Sequence, residues 1–229
     1  MNPLCLAIDT PDGAVVDELA RSTQAHVGIF KVGVTTFTAL GPRVVTQLAA
    51  SRPVFCDLKL NDIPSQIQGA VEVLGALGAS FATVHAMGGA AMVRAAAREA
   101  SPGLKILAVT VLTSLESDDL AAFGIAGTAA ETVVRLAGLA LEAGAAGLVC
   151  SGREAGLLRE RFGAAAAGGP LLVVPGIRAD GGASADQRRT SGPRAAVDAG
   201  ADLVVVGRAI TKALDPGEAA RAIHDQLTA

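Results

Sequence analysis

Eight short apolar runs rich in β-branched residues recur along the chain, and each ends in a polar or glycine-rich turn. Continuous apolar runs of this length predict parallel strands that are buried on both faces. The intervening segments carry apolar residues at helical spacing, such as Val15, Val16 and Leu19. A strand–helix unit repeated eight times predicts an α/β fold, a TIM-type (β/α)8 barrel that forms a single domain over residues 1–229. The predicted strands are Leu4–Ile8, Gly28–Val32, Val54–Leu58, Phe81–His85, Lys105–Val111, Gly147–Cys150, Leu171–Val174 and Leu203–Val206.

A doubly wound open sheet is the alternative to a barrel. Such a sheet more often carries a G-x-G-x-x-G turn after its first strand, whereas this chain has Asp9-Thr10-Pro11-Asp12-Gly13 there. Gly78 and Gly144 follow helical segments, where a left-handed helix end is expected. The lack of that glycine-rich turn after the first strand favours the barrel.

Composition excludes several classes of protein. Hydrophobic residues make up 51% of the chain and charged residues 18%, which excludes intrinsic disorder. The net charge is -3 and no run of Lys or Arg occurs, so we expect no nucleic-acid partner and no membrane association. No apolar run reaches the roughly 18 residues that span a bilayer, and the first residues lack a basic signal-peptide region, so we expect a cytoplasmic protein.

Charged side chains stand at the ends of the first three predicted strands. Asp9 ends the first, Lys31 the second, Asp57 and Lys59 the third, and Asp62 follows in the next loop. Because the carboxyl ends of barrel strands form the active-site face, these groups are expected to converge into an alternating network. A purely structural ion-pair network that closes the top of the barrel is the competing interpretation.

The loops after the last two predicted strands favour phosphate binding. Glycine-rich and basic loops at these positions, followed by a helix N-terminus, commonly hold phosphate in this fold. Here they contain Pro175-Gly176-Ile177-Arg178 and Gly207-Arg208. A simple turn with a solvated arginine is the alternative for the second loop.

His85 is more typical of a hydrogen-bonded strand end than of a metal ligand, and no spacing of His, Cys and Asp predicts a metal site.

The segment from Asp57 to Pro64 resembles the D-x-K-x-x-D-I-P motif of the orotidine 5′-phosphate decarboxylase family. Other segments similar to those of the family follow in the family's order over essentially the whole chain. They are Ala7–Asp9, Lys31–Gly33, Val84–Ala86, Val109–Ser114, Pro175–Arg178, Asp186–Arg189 and Val206–Arg208. Related sugar-phosphate decarboxylases and synthases share D-x-K-x-x-D, whereas D-I-P together with P-G-I-R and D-Q-R-R is much more specific.

The resemblance implies a homodimeric barrel that converts orotidine monophosphate to uridine monophosphate and CO2 in pyrimidine biosynthesis, without a metal ion or organic cofactor. It implies that Lys59 donates a proton to C6, that Asp57 lies against the departing carboxylate, and that Lys31 completes the charged array. Asp62 and Ile63 are implied to reach the neighbouring subunit's site. The other implied substrate contacts are Asp9 and Lys31 at the ribose, Thr113 at the pyrimidine, Arg178, Gln187, Gly207 and Arg208 at the phosphate, and Pro175.

Three places depart from the usual family pattern, namely Asn61, Gln66 and the segment Val34-Thr35-Thr36. None touches the Asp/Lys array, so we expect them to alter binding rather than to remove activity. A Mg²⁺-dependent sugar-phosphate decarboxylase or aldol-type lyase or synthase on the same scaffold is the alternative function, with the carboxylates as metal ligands. A catalytically silent barrel that only binds phosphorylated ligands is the third.

Overall fold

The structure is a computed structural model, which describes residues 2–176 and 192–228. Within these residues, eight parallel strands pair in chain order and β1 pairs with β8, so the sheet closes into a barrel. The predicted (β/α)8 fold is therefore confirmed. The strands are β1 (Leu4–Ile8), β2 (Ile29–Gly33), β3 (Val54–Leu60), β4 (Phe81–His85), β5 (Lys105–Val109), β6 (Gly147–Val149), β7 (Leu171–Val174) and β8 (Leu203–Val206).

Helices surround the barrel, and capping side chains fix where several of them begin. Asp12 accepts a hydrogen bond from the amide of Ala14 at 2.8 Å, and Thr128 and Glu131 form a reciprocal capping box. Gly78 and Gly144 adopt φ of 85° and 101° after two helices, as the sequence predicts. Within the described ranges, no helix is long and apolar enough to span a membrane. The helices are α1 (Gly13–Thr23), α2 (Val34–Leu40), α3 (Arg43–Ala49), α4 (Pro64–Ala76), α5 (Gly89–Glu99), α6 (Ser117–Ala122), α7 (Ala129–Glu142), α8 (Gly152–Phe162), α9 (Pro193–Asp198), α10 (Arg208–Thr211) and α11 (Pro216–Thr228), with 3₁₀ turns at Ala86–Gly88 and Ala165–Ala167.

Strand alternation divides the core into two layers. Even-numbered strand residues such as Leu6 and Phe30 pack between the sheet and the helices. Odd-numbered residues such as Cys5, Phe55 and Phe81 fill the barrel interior. Because successive side chains of a strand point to opposite faces, odd-numbered residues near the carboxyl ends of the strands are directed into the barrel mouth.

Four strands end at other residues than the sequence predicts, and two of them differ by only one residue, β2 ending at Gly33 and β6 at Val149. β3 continues to Leu60, because its pairing with β4 is interrupted after Cys56 and resumes where Leu60 lies opposite Val84. β5 stops at Val109, two residues early. The amide and hydroxyl of Thr110 both donate to the carbonyl oxygen of Val149, at 3.4 and 3.2 Å, where the chain turns away from the strand. The interruption in β3 coincides with the predicted catalytic segment.

Candidate active site

Four of the predicted charged side chains form a continuous chain of ion pairs at the barrel mouth. Lys31 Nζ lies 3.3 Å from Asp9 Oδ1 and 3.3 Å from Asp57 Oδ2. Lys59 Nζ lies 2.8 Å from Asp57 Oδ1. We call these four residues the charged array. Negative and positive groups alternate along it, so each ammonium has a carboxylate beside it.

Burial within the charged array is graded. The side chain of Lys31 is 9% exposed and that of Asp57 14%, whereas Lys59 is 34% and Asp9 53% exposed. The inner pair is therefore shielded from water, and the ammonium of Lys59 stands nearer the solvent side. Lys59 is therefore the more accessible of the two ammonium groups.

The inner pair stays charged because each partner compensates the other. Burial raises the pKa of Asp57, but the ammonium groups of Lys31 and Lys59, with hydrogen bonds from Lys59 and Thr83, outweigh it and hold this pKa below its ordinary value. Burial lowers the pKa of Lys31, but Asp57 and Asp9 together raise it above its ordinary value. Both groups are ionised at neutral pH, which gives the mouth a fixed internal charge pattern.

The backbone at Lys59 departs from regular strand geometry. Its φ is 51°, the left-handed region that non-glycine residues seldom adopt. The amide of Lys59 donates to Thr83 Oγ1 at 2.9 Å, and the same hydroxyl donates to Asp57 Oδ1 at 3.1 Å. Thr83 is not among the site residues predicted from the sequence. Its odd-numbered position in β4, two residues before His85, is the signal that would have directed it into the mouth.

Gly33 makes room for the charged array. A Cβ at this position would lie 2.2 Å from Asp9 Oδ1 and 3.2 Å from Lys31 Nζ. The first distance is far shorter than van der Waals contact, so any side chain would displace the carboxylate of Asp9. Gly33 lies in a segment similar to one of the family's, but this steric role was not predicted from the sequence.

Two more titratable groups lie beside the charged array. His85 ends β4 and is half-buried, and burial together with the positive charge of Lys59 lowers its pKa, so it is neutral at neutral pH. Cys5 lies deeper in the barrel, and burial raises the pKa of its thiol to about 12. Both groups therefore leave the net charge of the array unchanged at neutral pH.

Asp62 and Ile63 lie outside the charged array of their own chain. Both are exposed in the turn between β3 and α4, and Ile63 is 62% exposed. The carboxylate of Asp62 accepts a hydrogen bond from the amide of Ile63 at 2.6 Å. The geometry leaves both side chains available to a second molecule.

The residues predicted to bind the remainder of the substrate follow β5, β7 and β8. Thr113, Pro175 and Gly207 are half-buried at these strand ends, and Arg208 is exposed at the first residue of α10. A Cβ at Gly207 would lie 3.6 Å from the Cβ of Ala7, an ordinary contact, so packing within the protein does not require glycine there. The predicted phosphate contacts Arg178 and Gln187 lie outside the described residues.

The described residues contain no group of three or more His, Cys, Asp or Glu side chains placed to hold a metal ion. At the mouth, Asp57 already contacts Lys31 through one carboxylate oxygen and Lys59 through the other. A cation bound to Asp57 would therefore have to compete with two ammonium groups.

A separate groove of about 540 Å³ lies between α5, α7 and α8 and contains none of the predicted site residues.

The charged array can stabilise negative charge that develops next to Lys59. An ammonium held in place by Asp57 acts strongly on such charge, because it need not reorient during the reaction. Lys59 can also donate a proton at the same position. The array therefore suits a reaction in which an anionic carbon forms and is protonated in place.

Comparisons with known proteins agree with this geometry. A family model described as "Orotidine 5'-phosphate decarboxylase / HUMPS family" matches residues 2–223. The orotidine 5′-phosphate decarboxylase of Anaeromyxobacter dehalogenans is 52% identical over 221 residues, which cover 96% of each chain. That of Thermobifida fusca is 46% identical over 227 residues, which cover 98% of this chain and 95% of the relative.

Solved structures give the same result. The crystal structure of orotidine 5′-phosphate decarboxylase from Lactobacillus acidophilus matches with a TM-score of 0.87 and 32% identity, covering 100% of both chains. That of the decarboxylase from Pyrococcus horikoshii matches with a TM-score of 0.80 and 27% identity, covering 99% of both chains. With a family model matching nearly its full length and relatives around half identical, the chain belongs to the orotidine 5′-phosphate decarboxylase / HUMPS family.

Proposed function

We propose that this chain is a cytoplasmic carboxy-lyase whose single barrel domain, residues 1–229, decarboxylates orotidine 5′-phosphate to uridine 5′-phosphate and CO2. The observation that carries the proposal is the chain of ion pairs through Lys31, Asp57 and Lys59 at the barrel mouth. Family membership supports it, because relatives whose matches cover 96% and 98% of this chain are named for this reaction.

The chemistry explains why an ammonium is needed. The bond between C6 and the carboxylate carbon breaks, the carboxylate leaves as neutral CO2, and the electron pair stays on C6. The pyrimidine ring delocalises this pair poorly, so electrostatic stabilisation must come from the protein. Lys59 stabilises the developing carbanion, then transfers a proton from Nζ to C6 and recovers one from solvent. The products are uridine 5′-phosphate and CO2.

Asp57 contributes by holding Lys59 and by its own charge. Its carboxylate contacts Lys59 Nζ at 2.8 Å, which fixes where the proton donor stands. The substrate carboxylate beside Asp57 is repelled in the ground state, and this repulsion falls as CO2 becomes neutral. We assign the larger share of the rate enhancement to the ammonium, because it acts on charge that exists only as the bond breaks.

Binding of the ribose and phosphate supplies energy away from the reacting carbon. We assign the ribose hydroxyls to Asp9 and Lys31, the pyrimidine to Thr113, and the phosphate to Gly207 and Arg208. Pro175, Arg178 and Gln187 complete the predicted substrate site. Energy from such remote contacts can be used to hold the base against the charged array.

A homodimer completes the site in this proposal. Val34, Ile63 and Met87 follow the ends of three adjacent strands, and they are 55%, 62% and 48% exposed. Large apolar side chains grouped at one edge of the mouth are typical of a surface that a partner covers. A second protomer seated there would bring its Asp62 toward the ammonium groups of the first, which would add a third carboxylate to the charged array.

The direct test follows the ultraviolet absorbance of orotidine 5′-phosphate after mixing with chelator-treated protein. We expect turnover that excess chelator leaves unchanged, and loss of turnover in Lys59→Ala with the circular dichroism spectrum retained. Turnover that vanishes with chelator and returns with Mg²⁺ would favour the metal-dependent alternative. Retained turnover in Lys59→Ala would exclude Lys59 as the proton donor.

The shared site is tested by mixing two inactive variants. Lys59→Ala and Asp62→Ala are refolded together, so that heterodimers carry one doubly altered site and one intact site. Random pairing makes half of the dimers heterodimers, so about a quarter of the wild-type activity should return. Mixtures that stay as inactive as either parent would contradict a site built from both subunits.

A further inference from the structure

Thr83 connects the two residues to which the reaction is assigned. It lies on β4 at an inward-facing position and is 0% exposed. Its hydroxyl accepts a hydrogen bond from the amide of Lys59 at 2.9 Å and donates one to Asp57 Oδ1 at 3.1 Å. A single hydroxyl group thus holds the backbone of the proton donor and the carboxylate of its partner.

The backbone of Lys59 needs this partner because it has left the sheet. The β3–β4 pairing is interrupted between Cys56 and Leu60, so the Lys59 amide is not part of a regular ladder. The Lys59 amide is partly buried, so leaving it without an acceptor would cost free energy, and Thr83 supplies the acceptor. Lys59 also has φ of 51°, a strained conformation that persists only where the surroundings enforce it.

The carboxylate of Asp57 needs the same hydroxyl for a different reason. Oδ1 is contacted by Lys59 Nζ at 2.8 Å and by Thr83 Oγ1 at 3.1 Å, while Oδ2 faces Lys31 at 3.3 Å. The Thr83 hydrogen bond therefore helps to fix the rotation of the carboxylate, so that one oxygen faces each ammonium. Without it, the Asp57 side chain could turn and carry Lys59 Nζ with it.

We propose that Thr83 is a positioning residue, which fixes the left-handed backbone of Lys59 and the carboxylate of Asp57. It thereby determines where the proton donor stands. This inference rests on the proposed function. Thr83 acts through Lys59 and Asp57 and touches no substrate atom in this account. Its contribution should therefore appear in the catalytic step more than in substrate binding.

The test compares substitutions that differ in the hydroxyl group. Thr83→Val keeps the shape of the side chain and removes both hydrogen bonds, and Thr83→Ser keeps the hydroxyl group. Thr83→Ala removes the hydroxyl group without placing a methyl group in its position. Because misplacement of a catalytic group by about 1 Å can cost about a hundredfold, we expect kcat to fall about ten- to a hundredfold in Thr83→Val and Thr83→Ala. KM should change by less than about threefold, and Thr83→Ser should retain most of kcat.

Thr23→Val is the matched control. Thr23 is also 0% exposed, and its hydroxyl donates to the carbonyl oxygen of Leu19 at 2.6 Å in α1, outside the charged array. This variant loses a buried threonine hydroxyl of the same kind and should keep the wild-type kcat. If Thr83→Val behaved like Thr23→Val, or if serine failed to rescue kcat, the positioning role would be overturned.

A second measurement separates this inference from the proposed function. Burial raises the pKa of Asp57 and several contacts lower it, among them the Thr83 hydrogen bond. In ¹³C-labelled protein, the titration midpoint of the Asp57 carboxyl should therefore rise in Thr83→Val and stay in place in Thr23→Val. An unchanged midpoint overturns the inference even in an active enzyme. Wild-type protein without decarboxylase activity would overturn the proposed function, and the titration would still decide the role of Thr83.

Discussion

Replacing Asp57 by asparagine removes a carboxylate that pairs with two ammonium groups while it preserves the shape of the side chain. Lys31 and Asp57 are 3.3 Å apart, which at an effective dielectric constant of about 20 corresponds to about 5 kcal/mol of attraction. Removing one partner of a buried pair typically costs about 3–5 kcal/mol, because the other charge loses its compensation. Lys31 would keep only Asp9, whose side chain is 53% exposed. We therefore expect Asp57→Asn to lower the free energy of unfolding by about 3–5 kcal/mol at pH 7.

The loss should depend on pH in a defined direction. The folded-state pKa of Asp57 is lowered from its ordinary value of 3.8. Its contribution to stability is therefore fully present above that ordinary value, and it is lost as the pH falls through the lower folded-state value. The difference between wild type and Asp57→Asn should be constant near neutral pH and shrink in the acidic range.

Urea titrations followed by far-ultraviolet circular dichroism provide the measurement, and Asp198→Asn provides the control. Asp198 pairs with Arg194 at 2.8 Å, but these side chains are 58% and 54% exposed. Exposed pairs contribute little, so this identical chemical change should cost less than about 1 kcal/mol. If Asp57→Asn cost as little as Asp198→Asn, or if its cost persisted unchanged in acid, the electrostatic account of the barrel mouth would be refuted.

Three further predictions use other parts of the site. Gly33→Ala should lower kcat/KM at least tenfold through displacement of the Asp9 carboxylate, since about 1.4 kcal/mol of lost transition-state binding gives a factor of ten. Gly156→Ala is the control, because a Cβ at this exposed position of α8 meets nothing within 4 Å. This variant should keep full activity and raise the free energy of unfolding, measured in urea, by about 0.5–1 kcal/mol. Arg208→Ala should lower kcat/KM for the nucleotide but leave that for the phosphate-free nucleoside nearly unchanged, and equal losses in a steady-state assay of both substrates would contradict phosphate binding at this residue. Because the folded-state pKa of His85 lies below its ordinary value of 6.5, the folded protein loses stability as the pH falls below 6.5. His85→Gln should make the unfolding temperature depend less on pH in this range. An unchanged slope of unfolding temperature against pH would contradict the half-buried neutral state of His85.

The repeating pattern of the sequence was sufficient for the fold. Eight apolar runs separated by helical segments have few ways to bury both faces of every strand, and closure into a barrel removes the two exposed edges. The same alternation directed Asp57 and Lys59 to one face and Cys56 to the other, as the structure shows. Short-range periodicity carries this information because side-chain direction follows from the strand geometry itself.

The strand ends depended on contacts that lie far apart in the sequence. β3 extends to Leu60 because it resumes pairing with Val84, and the left-handed backbone at Lys59 is supported by a hydroxyl from β4. A seven-residue window around Lys59 contains neither Val84 nor Thr83. Residue spacing therefore predicted that Lys59 and Asp57 meet, but it could not predict how they are held.

Periodicity and residue type were enough to predict the barrel, the order of its strands and the charged residues at its mouth. Three features depended on the folded arrangement, namely the burial of Lys31, the clearance that Gly33 leaves for Asp9, and the bridge made by Thr83. These features arise where neighbouring strands bring residues that are far apart in the sequence to within 4 Å or less of each other. The strength of each interaction depends on how much water the surrounding barrel excludes.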